Sequence, residues 1–517
     1  MPTYLSPGVF VEEVPAGTQP IEGVGTSTGA FVGLAERGPT DSARLITNYS
    51  QFVNEFGRHI TDSFLAYSVF SFFAEGGTRC YVVRVAGASA AAADLAINGT
   101  DASPALQVDA SSVGTWGNRV SVNFADPTNE DPATHFKMTV RFLDQIGGRD
   151  NPVVEVFDDI SMSDIETRVN GASSFINVSY IPLGSGDASR TLAQKRPANS
   201  ATATTFASLT GGTDDAAGDF IGSESEQSGL YAFDPIDDIN IVAIPDLAKL
   251  TDGDTMRERT IDALVDCENR RDCFFIADTP FGVAPSAVRE YKQGGGATYT
   301  GNALNSTYGA LYYPWITITN PLEPGTNITV PPSGIVAGSF ANTDATRGVF
   351  KAPAGTVDGF LNSALGIERQ VTKGEQDVLN PLGINVIRQF PSAGIVIWGA
   401  RTLSNIAEWR YVNVRRLMLF IEESIDEGSQ FVVFEPNDPT LWGKVRRTLT
   451  AFLTRVWRDG ALFGNSPEEA FFVKVDEENN PPAVRDAGQL IIEVGVAPVK
   501  PAEFVVIRIS QQTQGTN

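Results

Sequence analysis

Residues 239–245 (INIVAIP) and 273–278 (CFFIAD) are the two stretches that decide the fold class. Each is a short apolar run, and such runs predict buried β-strands. Between them, Asp254 is placed to cap a helix that runs through residues 261–265. Strand, helix and strand at this spacing predict a βαβ unit, and with it an α/β domain built on a parallel sheet.

The region upstream repeats this pattern. We expect strands at 29–33 and 80–85, a short helix capped by Ser50 and ended by Gly57, and a longer helix that Asp62 opens. Residues 23–88 and 232–384 are therefore predicted to fold together as one central α/β domain.

The segment between these two parts, residues 89–231, has a different composition. A run of small residues at 87–93 marks its start, and polar, β-type sequence follows. We expect strands at 106–108, 119–124, 136–142 and 153–157, and a loose surface loop over 184–219. Residues 89–231 are thus predicted to form an inserted, β-rich outer domain.

Residues 385–501 are predicted to form a C-terminal α+β domain. The expected elements are a strand at 395–398, a helix at 414–427 stopped by Gly428, a strand at 431–435, a helix from Asp438 to Gly460, and a hairpin joining 471–475 to 490–494. The start of the second helix is well marked, because aspartate caps helices and the following Pro439 fits the first turn.

Both ends of the chain, residues 1–22 and 502–517, are predicted to be arms that each carry a β-strand. Pro15 and Gly17 end the first run, and a polar tail follows the second. A strand that cannot close a hairpin locally must add to a sheet elsewhere, which predicts exchange between neighbouring molecules. The candidate strand residues are Val9, Phe10, Val11 and Val14 in the first arm and Phe504, Val505, Ile507 and Ile509 in the second.

The composition excludes several classes of function. The formal net charge of −24 would repel nucleic acid, so no nucleic-acid partner is expected. Charged residues interrupt every long apolar stretch, and no signal peptide or membrane-spanning segment is recognisable. We therefore expect neither nucleic-acid binding nor direct insertion into a membrane.

Residues that carry enzyme chemistry are scarce. The two histidines, His59 and His135, are expected at the surface, and no P-loop is present. The three cysteines, Cys80, Cys267 and Cys273, lack zinc-site spacing and are predicted to be buried thiols in a reducing compartment. The sequence therefore predicts no catalytic residue, no metal site and no cofactor.

One predicted helix opposes the charge of the chain. Residues 440–460 contain five basic side chains and one acid, so their net charge is five minus one, or +4. Four of the bases fall on one stripe at about 100° per residue, with apolar residues on the far side. The stripe is either a solvated face paired with acids of its own molecule or a docking face for an acidic partner. The basic stripe consists of Lys444, Arg447, Arg455 and Arg458.

Motifs along nearly the whole chain resemble the sheath proteins of contractile tails and contractile injection systems. They are 4–14 (YLSPGVFVEEV), 31–33 (FVG) with Gly38 and Pro39, 115–119 (TWGNR), 331–334 (PPSG) with Gly338, 344–349 (DATRGV), 351–353 (KAP), 411–417 (YVNVRRL) and 434–438 (FEPND). The resemblance is weakest over residues 125–230.

The resemblance implies a structural role. In that family, sixfold rings of sheath surround a rigid inner tube, and both arms add strands to a small sheet in neighbouring subunits. The central domain of some members has a subtilisin-like topology without protease activity. The sheath is built extended, then shortens and widens, driving the tube through a target envelope.

The resemblance also implies partners: other copies of the chain, an inner tube protein, baseplate and terminal cap proteins, and a paralogous sheath protein where one co-assembles. The basic stripe would then face an acidic tube. Assembly is expected in the bacterial cytoplasm, in a phage-tail-like particle that is released. A static shell protein and an α/β enzyme stay open as alternatives, and so does the choice between phage tail, bacteriocin and extracellular injection system.

Overall fold

The computed structural model describes residues 21–146, 149–323 and 325–504. The chain divides into two compact units, each described here by itself. The larger unit comprises Thr26–Gly348 and Ala352–Val412, and the smaller unit comprises Met1–Gly25, Val349–Lys351 and Asn413–Asn517. Of the eight predicted arm residues, only Phe504 belongs to the described part of the chain.

Within the described residues, the strands of the larger unit are β1 Gly29–Gly33, β2 Arg44–Ile46, β3 Cys80–Arg84, β4 Asp94–Asn98, β5 Pro104–Ala110, β6 Val120–Ala125, β7 His135–Ile146, β8 Arg149–Ser161, β9 Ile176–Tyr180, β10 Ala207–Ser208, β11 Ile241–Ala243, β12 Phe274–Asp278, β13 Gly309–Tyr313, β14 Ile316–Thr319, β15 Asn327–Val330, β16 Gly366–Ile367, β17 Ile384–Phe390 and β18 Gly394–Ile397. Its α-helices are α1 Tyr49–Phe56, α2 Leu65–Ala74, α3 Ile165–Val169, α4 Leu192–Lys195, α5 Gly253–Asp266, α6 Pro285–Gln293, α7 Ser333–Arg347 and α8 Lys373–Leu379.

An eight-stranded sheet in the order β18-β17-β13-β12-β11-β1-β3-β2 forms the centre of the larger unit. Strands β17 to β3 pair in parallel, and the edge strands β18 and β2 pair antiparallel. The predicted βαβ unit is confirmed, because α5 connects β11 to its parallel neighbour β12. The strand order reverses between β1 and β11, the arrangement of a doubly wound sheet.

Helices α2 and α7 pack together at very short range. A Cβ atom on Gly334 would lie 2.4 Å from Ser68 Cα, and one on Gly338 would lie 2.6 Å from the carbonyl oxygen of Phe72. Only glycine lets the two helix backbones approach this closely. The 331–334 motif and Gly338 thus mark a packing contact inside the unit.

Several predicted helix starts are wrong by two or three residues. Asn48, not Ser50, caps α1, because its side chain accepts a hydrogen bond from Gln51 N. Asp252, not Asp254, caps α5, because it accepts from the backbone of residues 254 and 255. Helix α2 begins at Leu65, without a cap from Asp62. In each case polar residues cluster at the start, and only the three-dimensional geometry selects among them.

Residues 93–209 form two sheets, β10-β6-β7-β8 and β4-β5-β9, around their own apolar core, in which Trp116 is buried. The predicted end of the inserted domain at 231 differs from this, because Phe220, Ile221 and Leu230 pack in the core of the central sheet. Ion pairs join this region to the rest of the larger unit, such as Arg58 Nε, just after α1, to Asp144 at 3.0 Å. The loop predicted to be loose is held down, because Arg190 pairs with Asp101 at 2.8 Å and Arg196 Nε donates to the His135 carbonyl. Charged side chains of this segment thus hold it in place, although its composition predicted a loose surface loop.

The smaller unit contains α9 Val412–Ser429, α10 Pro439–Arg458, α11 Pro467–Ala470, β19 Phe471–Lys474, α12 Pro482–Asp486 and β20 Glu493–Val496. The predicted C-terminal boundary at 385 differs from the structure, because β17 and β18 extend the central sheet and the smaller unit resumes at Asn413. Helix α9 continues through Gly428, which was predicted to stop it. The predicted strand at 431–435 is wrong, because Gln430–Val432 is a turn of 3₁₀-helix.

Candidate functional site

A buried carboxylate lies at the carboxyl ends of β1 and β11, where doubly wound sheets usually bind ligands. Asp246, three residues after β11, is fully buried. Its Oδ2 atom accepts hydrogen bonds from Leu34 N and Ser63 Oγ, each at 2.7 Å, and Oδ1 accepts from Phe64 N. Burial raises its pKa to about 6. The chain's own side chain thus occupies the helix N-terminus that would otherwise attract an anion.

A second buried carboxylate closes the next strand end. Asp278, the last residue of β12, accepts a hydrogen bond from Ser333 N at the start of α7, at 2.9 Å. Burial raises the pKa of Asp278 to about 7. Both aspartates therefore join strand ends to helix N-termini, which stabilises the core and leaves no open carboxylate at these positions.

We expect Asp278 to make the unassembled chain less stable in base than in acid. With a folded-state pKa near 7 and an ordinary value of 3.8, the native chain holds the extra proton between about pH 4 and pH 7, so the free energy of unfolding falls as pH rises through that range. Asp278→Asn keeps an acceptor for Ser333 N and removes the charge. It should raise the unfolding free energy at pH 8 by roughly 1–3 kcal/mol, and much less at pH 4.

Denaturant titrations of both chains at the two pH values measure this. The pH dependence of either chain alone also contains the burial of His59, which acts with the opposite sign, and that of Asp246, which acts with the same sign. Because both chains share these two groups, their contributions cancel in the difference, which isolates Asp278. A stability gain equal at both pH values would contradict the assignment.

The prediction that both histidines lie at the surface is wrong for His59. Its side chain is 8 % exposed. The centres of its ring and of the Tyr67 ring are 4.4 Å apart, and its Nδ1 atom lies 3.0 Å from the Tyr49 hydroxyl oxygen. Burial lowers its pKa to about 4, so it is neutral near pH 7. A neighbouring aromatic cluster, invisible in the local sequence, accounts for the burial. His135 is half-buried at the start of β7.

A cavity of about 400 Å³ lies within the larger unit beside His59. Two of the arginines that line it are already engaged: Arg84 donates to the carbonyls of Ala35, Gly38 and Val113, and Arg119 pairs with Glu36. Burial lowers the pKa of Arg84 to about 10. These contacts hold the inserted region against the central sheet.

The cysteines also differ from expectation. Cys267 and Cys273 form a disulfide, and Cys80 is a buried free thiol. The residues join because the helix ends in a π-turn at Cys267–Arg271 and the chain then turns back through Asp272. In the described part of the chain, no cluster of three or more His, Cys, Asp or Glu residues is arranged to hold a metal ion. No helix there combines the length and hydropathy required to cross a bilayer.

Helix α10 carries the basic stripe in the smaller unit. Asp438 caps it, accepting from Thr440 N and Leu441 N at 2.8 Å each, and Pro439 occupies the first turn as predicted. The apolar side buries Val445, Leu449 and Phe452 in the core. Helical periodicity therefore directs the stripe away from this core.

The stripe residues are free of ion pairs within the described residues. Arg447, Arg455 and Arg458 are exposed, and Lys444 is half-buried with Nζ 4.6 Å from the centre of the Phe431 ring. Arg455 Nη2 donates to the Ile21 carbonyl oxygen at 3.1 Å. The described carboxylates thus leave the charge of the stripe uncompensated by direct pairing.

The root of the N-terminal arm is fixed to the same unit. Ile21 is buried against α9, where a Cβ atom on Gly428 would lie 2.5 Å from its Cγ1 atom, and Val24 N donates to Ser424 Oγ at 3.2 Å. Together with the Arg455 contact, these place the start of the arm on the two long helices. The close approach to Ile21 also explains why glycine occupies position 428.

The sheet of the smaller unit contains two strands in the described part of the chain, β19 and β20. Their antiparallel pairing confirms the predicted hairpin, although the second strand is Glu493–Val496 and α12 lies in the connection. A two-stranded sheet is marginal alone, and no other strand of the described residues pairs with the outer edge of β19 or of β20. The sequence predicted the hairpin but not that its outer edges lack a strand partner in the described part of the chain. The available signal was the pair of short runs at 471–475 and 490–494 with no third strand pattern nearby.

Comparison with known proteins follows the same division of the chain. Residues 222–403 match the family model described as the phage tail sheath protein central domain, and residues 405–512 match the phage tail sheath C-terminal domain. The tail sheath protein of Vibrio phage KVP40 is 28% identical over 182 residues, 35% of this chain and 26% of that protein. The tail sheath protein of Enterobacteria phage T4 is 22% identical over 263 residues, 50% of this chain and 38% of that protein. The matches thus span about a quarter to two fifths of these relatives.

Solved structures show the same fold over nearly the full length. The sheath complex of an extracellular contractile injection system, PVC, in its contracted state is 22% identical, covers 99% of each chain and has a TM-score of 0.58. A sheath tail protein from Listeria innocua is 13% identical, covers 93% of this chain and 94% of its own, and has a TM-score of 0.62. The mixed α/β, multidomain architecture with several sheets is therefore shared.

Proposed function

The chain belongs to the phage tail sheath protein family, and from this we propose that it is the structural sheath subunit of a contractile machine. Subunits polymerise as stacked hexameric rings around an inner tube and contract to drive the tube through a target envelope. The observation that carries the proposal is the two-stranded sheet β19–β20, whose outer edges have no strand partner among the described residues, because an unpaired edge is a template for a strand from another chain.

The terminal arms are the proposed occupants of these edges. Val9, Phe10, Val11 and Val14 would enter the sheet of one neighbour, and Phe504, Val505, Ile507 and Ile509 that of another. Phe504 is 73 % exposed, as a residue awaiting a partner would be. Each arm strand forms several backbone hydrogen bonds, worth a net of about 1 kcal/mol each, so the arms hold while the subunit bodies turn.

A non-enzymatic role fits the core. The central domain is proposed to have a subtilisin-like topology without catalysis, since the carboxylate of Asp246 at the strand ends is buried and already accepts hydrogen bonds from Leu34 N and Ser63 Oγ. The family is one of structural proteins, which favours the same conclusion.

The proposed partners are other copies of the chain, the inner tube, baseplate and terminal cap proteins, and a paralogous sheath protein where one co-assembles. The fold match to a baseplate assembly of the anti-feeding prophage supports the baseplate contact. We propose assembly in the bacterial cytoplasm, within a phage-tail-like particle that is later released. The basic stripe is the proposed contact with an acidic tube surface.

Negative-stain electron microscopy of the purified chain with its tube tests the proposal. We expect hollow cylinders in two populations, one long and narrow around the tube and one short and wide without it, because contraction exchanges length for diameter. A single fixed lattice would instead indicate a static shell protein. Discrete particles that turn over a substrate would indicate an enzyme.

A further inference from the structure

The sheet of β19 and β20 turns one face to the core of the smaller unit and its outer face away from it. Four side chains belong to that core or pack against it, and they are Phe471, Val473, Val494 and Val496. Side chains alternate along a strand, so the outer face carries Phe472, Lys474, Glu493 and Gly495. These four positions determine which side chains of an added strand fit on the outer face.

Phe472 provides an apolar contact on the outer face. It lies opposite Gly495 in the ladder, and a Cβ atom on Gly495 would be 2.7 Å from Cζ of its ring. The ring therefore covers the backbone of β20 at this glycine, an arrangement that stabilises glycine in a sheet. Phe472 is nevertheless 52 % exposed. A strand added at the outer edge of β20 lies about 4.8 Å away, so an apolar residue opposite Gly495 would pack against the ring.

Glu493 provides a charge two residues away on the same face. Its side chain is exposed, and Lys474, which lies opposite it, pairs with Glu478 at 2.7 Å. The Glu493 carboxylate is thus left without a direct ion pair in the described part of the chain. A fitting strand carries an apolar residue opposite Gly495, a base opposite Glu493, and apolar residues at the alternate positions that face the core.

The alternation of the C-terminal arm meets these requirements. Arg508 is the one basic residue in either arm, residues 1–22 and 502–517. An antiparallel strand with Val506 opposite Gly495 places Arg508 opposite Glu493, because two steps forward on one strand meet two steps back on the other. A parallel strand would bring Phe504 to Glu493 instead. The side chains that then turn to the apolar face are Val505, Ile507 and Ile509.

The N-terminal arm fits this edge less well. It contains no base, so no placement of it can pair the Glu493 carboxylate. Its central apolar residues, Phe10 and Val11, are each followed two positions later by an acid. An antiparallel strand with either of them opposite Gly495 brings a carboxylate opposite Glu493, and like charges directly opposite each other destabilise a sheet. The pattern therefore selects the C-terminal arm.

The chain itself continues away from this edge after β20. Phe463 N donates to the Ala497 carbonyl oxygen at 2.8 Å and Val499 N to the Ala461 carbonyl oxygen at 3.1 Å, which continues the direction of the strand. Residues 500–504 contain no turn that would reverse it. An arm that runs antiparallel along the outer edge of β20 therefore comes from a second copy.

We propose that the outer edge of β20 receives the C-terminal arm of a second copy of the chain, antiparallel, with Val506 against the Phe472 ring and Arg508 paired with Glu493. This rests on the proposed function and deepens it, because strand exchange by itself assigns neither arm to an edge and sets no register.

Paired cysteines test the register. Directly opposed residues of antiparallel strands have Cα atoms about 4.5–5.5 Å apart, a separation that a disulfide spans. The full chain with Glu493→Cys/Arg508→Cys is assembled in reducing buffer and then oxidised with diamide. We expect a ladder of covalent oligomers on a non-reducing gel, because each link joins one subunit to the next. The controls are the parent chain and Glu493→Cys/Ile507→Cys, whose second cysteine faces the core, and neither should give a ladder.

The competing arm is tested with Glu493→Cys/Glu12→Cys. A ladder from this variant, with or without one from Glu493→Cys/Arg508→Cys, would overturn the assignment of the edge and leave the proposed strand exchange intact. A link within single chains would show that the arm folds back on its own sheet. Cylinders without any link would also overturn the assignment. Failure of the parent chain to polymerise would overturn the proposed function, and this contact with it.

Charge reversal gives a second readout. Arg508→Glu places like charges opposite each other in every subunit, so the concentration at which half of the chain sediments as polymer should rise about threefold or more. Adding Glu493→Arg restores an opposite pair and should return that concentration to the parent value. If the second change restores nothing, Arg508 does not pair with Glu493 and the proposed register is wrong.

Discussion

A chain that carries Val494→Pro will fold and will not form cylinders. Ala497 N donates to the Ala470 carbonyl oxygen at 2.9 Å, which fixes 470 and 497 as a hydrogen-bonded pair. Hydrogen-bonded pairs alternate along an antiparallel ladder, so in the register of β19 and β20 they continue at 472 with 495 and at 474 with 493. The N–H of Val494 therefore points to the outer edge of β20, where an incoming strand would bind it.

Proline removes that donor and places a ring on the open edge, while the internal pairs of the sheet keep their donors. The incoming arm strand loses one hydrogen bond to β20 and can no longer lie close against its outer edge. The same loss occurs in every subunit of a polymer. The matched control is Val494→Ala, which truncates the side chain and keeps the N–H. Removal of residues 1–20 and 502–517 should reproduce the proline phenotype, because it takes away the occupants of the sheet.

Circular dichroism and analytical ultracentrifugation separate folding from assembly in these variants. The expected result is a folded, unassembled Val494→Pro chain and cylinder formation by Val494→Ala. Cylinders of normal length and width from the proline variant or the truncated chain would show that strand addition does not hold the sheath together.

The central sheet was predictable because its strands are continuous apolar runs. Residues 239–245 and 273–278 contain β11 and β12, and the helix between them fixes a parallel pair. The place of β17 and β18 was not, because a strand carries no local record of which sheet it joins. The pairing of β17 with β13 depends on contacts across some 70 residues of sequence, and β18 in turn pairs with β17.

The predicted strand at 431–435 failed for a related reason. The run of valine and phenylalanine has β character, but Asp438 fixes the start of α10 and Asn437 ties the preceding loop to Gln489. Tertiary hydrogen bonds thus overrule a local preference. Likewise, an isolated histidine gives no sign of a surrounding aromatic cluster, so the burial of His59 required the structure.

Only part of the candidate site could be predicted from the sequence. Helical periodicity alone placed Lys444, Arg447, Arg455 and Arg458 on one face, because one buried stripe determines where the remaining side chains point. The open edges of β19 and β20 depend on which strands are missing, and the place of the Phe472 ring over Gly495 depends on how the two strands pair. Neither property is encoded in the residues concerned.

The double variant Arg447→Glu/Arg458→Glu will stop decorating tubes. Each reversal changes the charge by two, so two of them take the helix from +4 to zero. Exposed ion pairs are worth only about 0–1 kcal/mol each, but like charges at the same positions repel, and the effect repeats in every subunit along the tube. Arg455 is left intact because it donates to the Ile21 carbonyl at the arm root.

Arg446→Glu is the matched control, since it reverses an exposed arginine on the same helix outside the stripe. Co-sedimentation with tubes at about 50 mM and about 500 mM salt measures the effect, because screening acts on exposed charges within a Debye length. We expect the parent and Arg446→Glu to bind at low salt and to weaken at high salt, and the double variant to bind at neither. Binding by the parent that ignores salt, together with full binding by the double variant, would show that the tube is held by another face. The proposed contraction would require a contact that is weak per residue and strong in sum, and a stripe of screened charges repeated in every subunit meets both conditions.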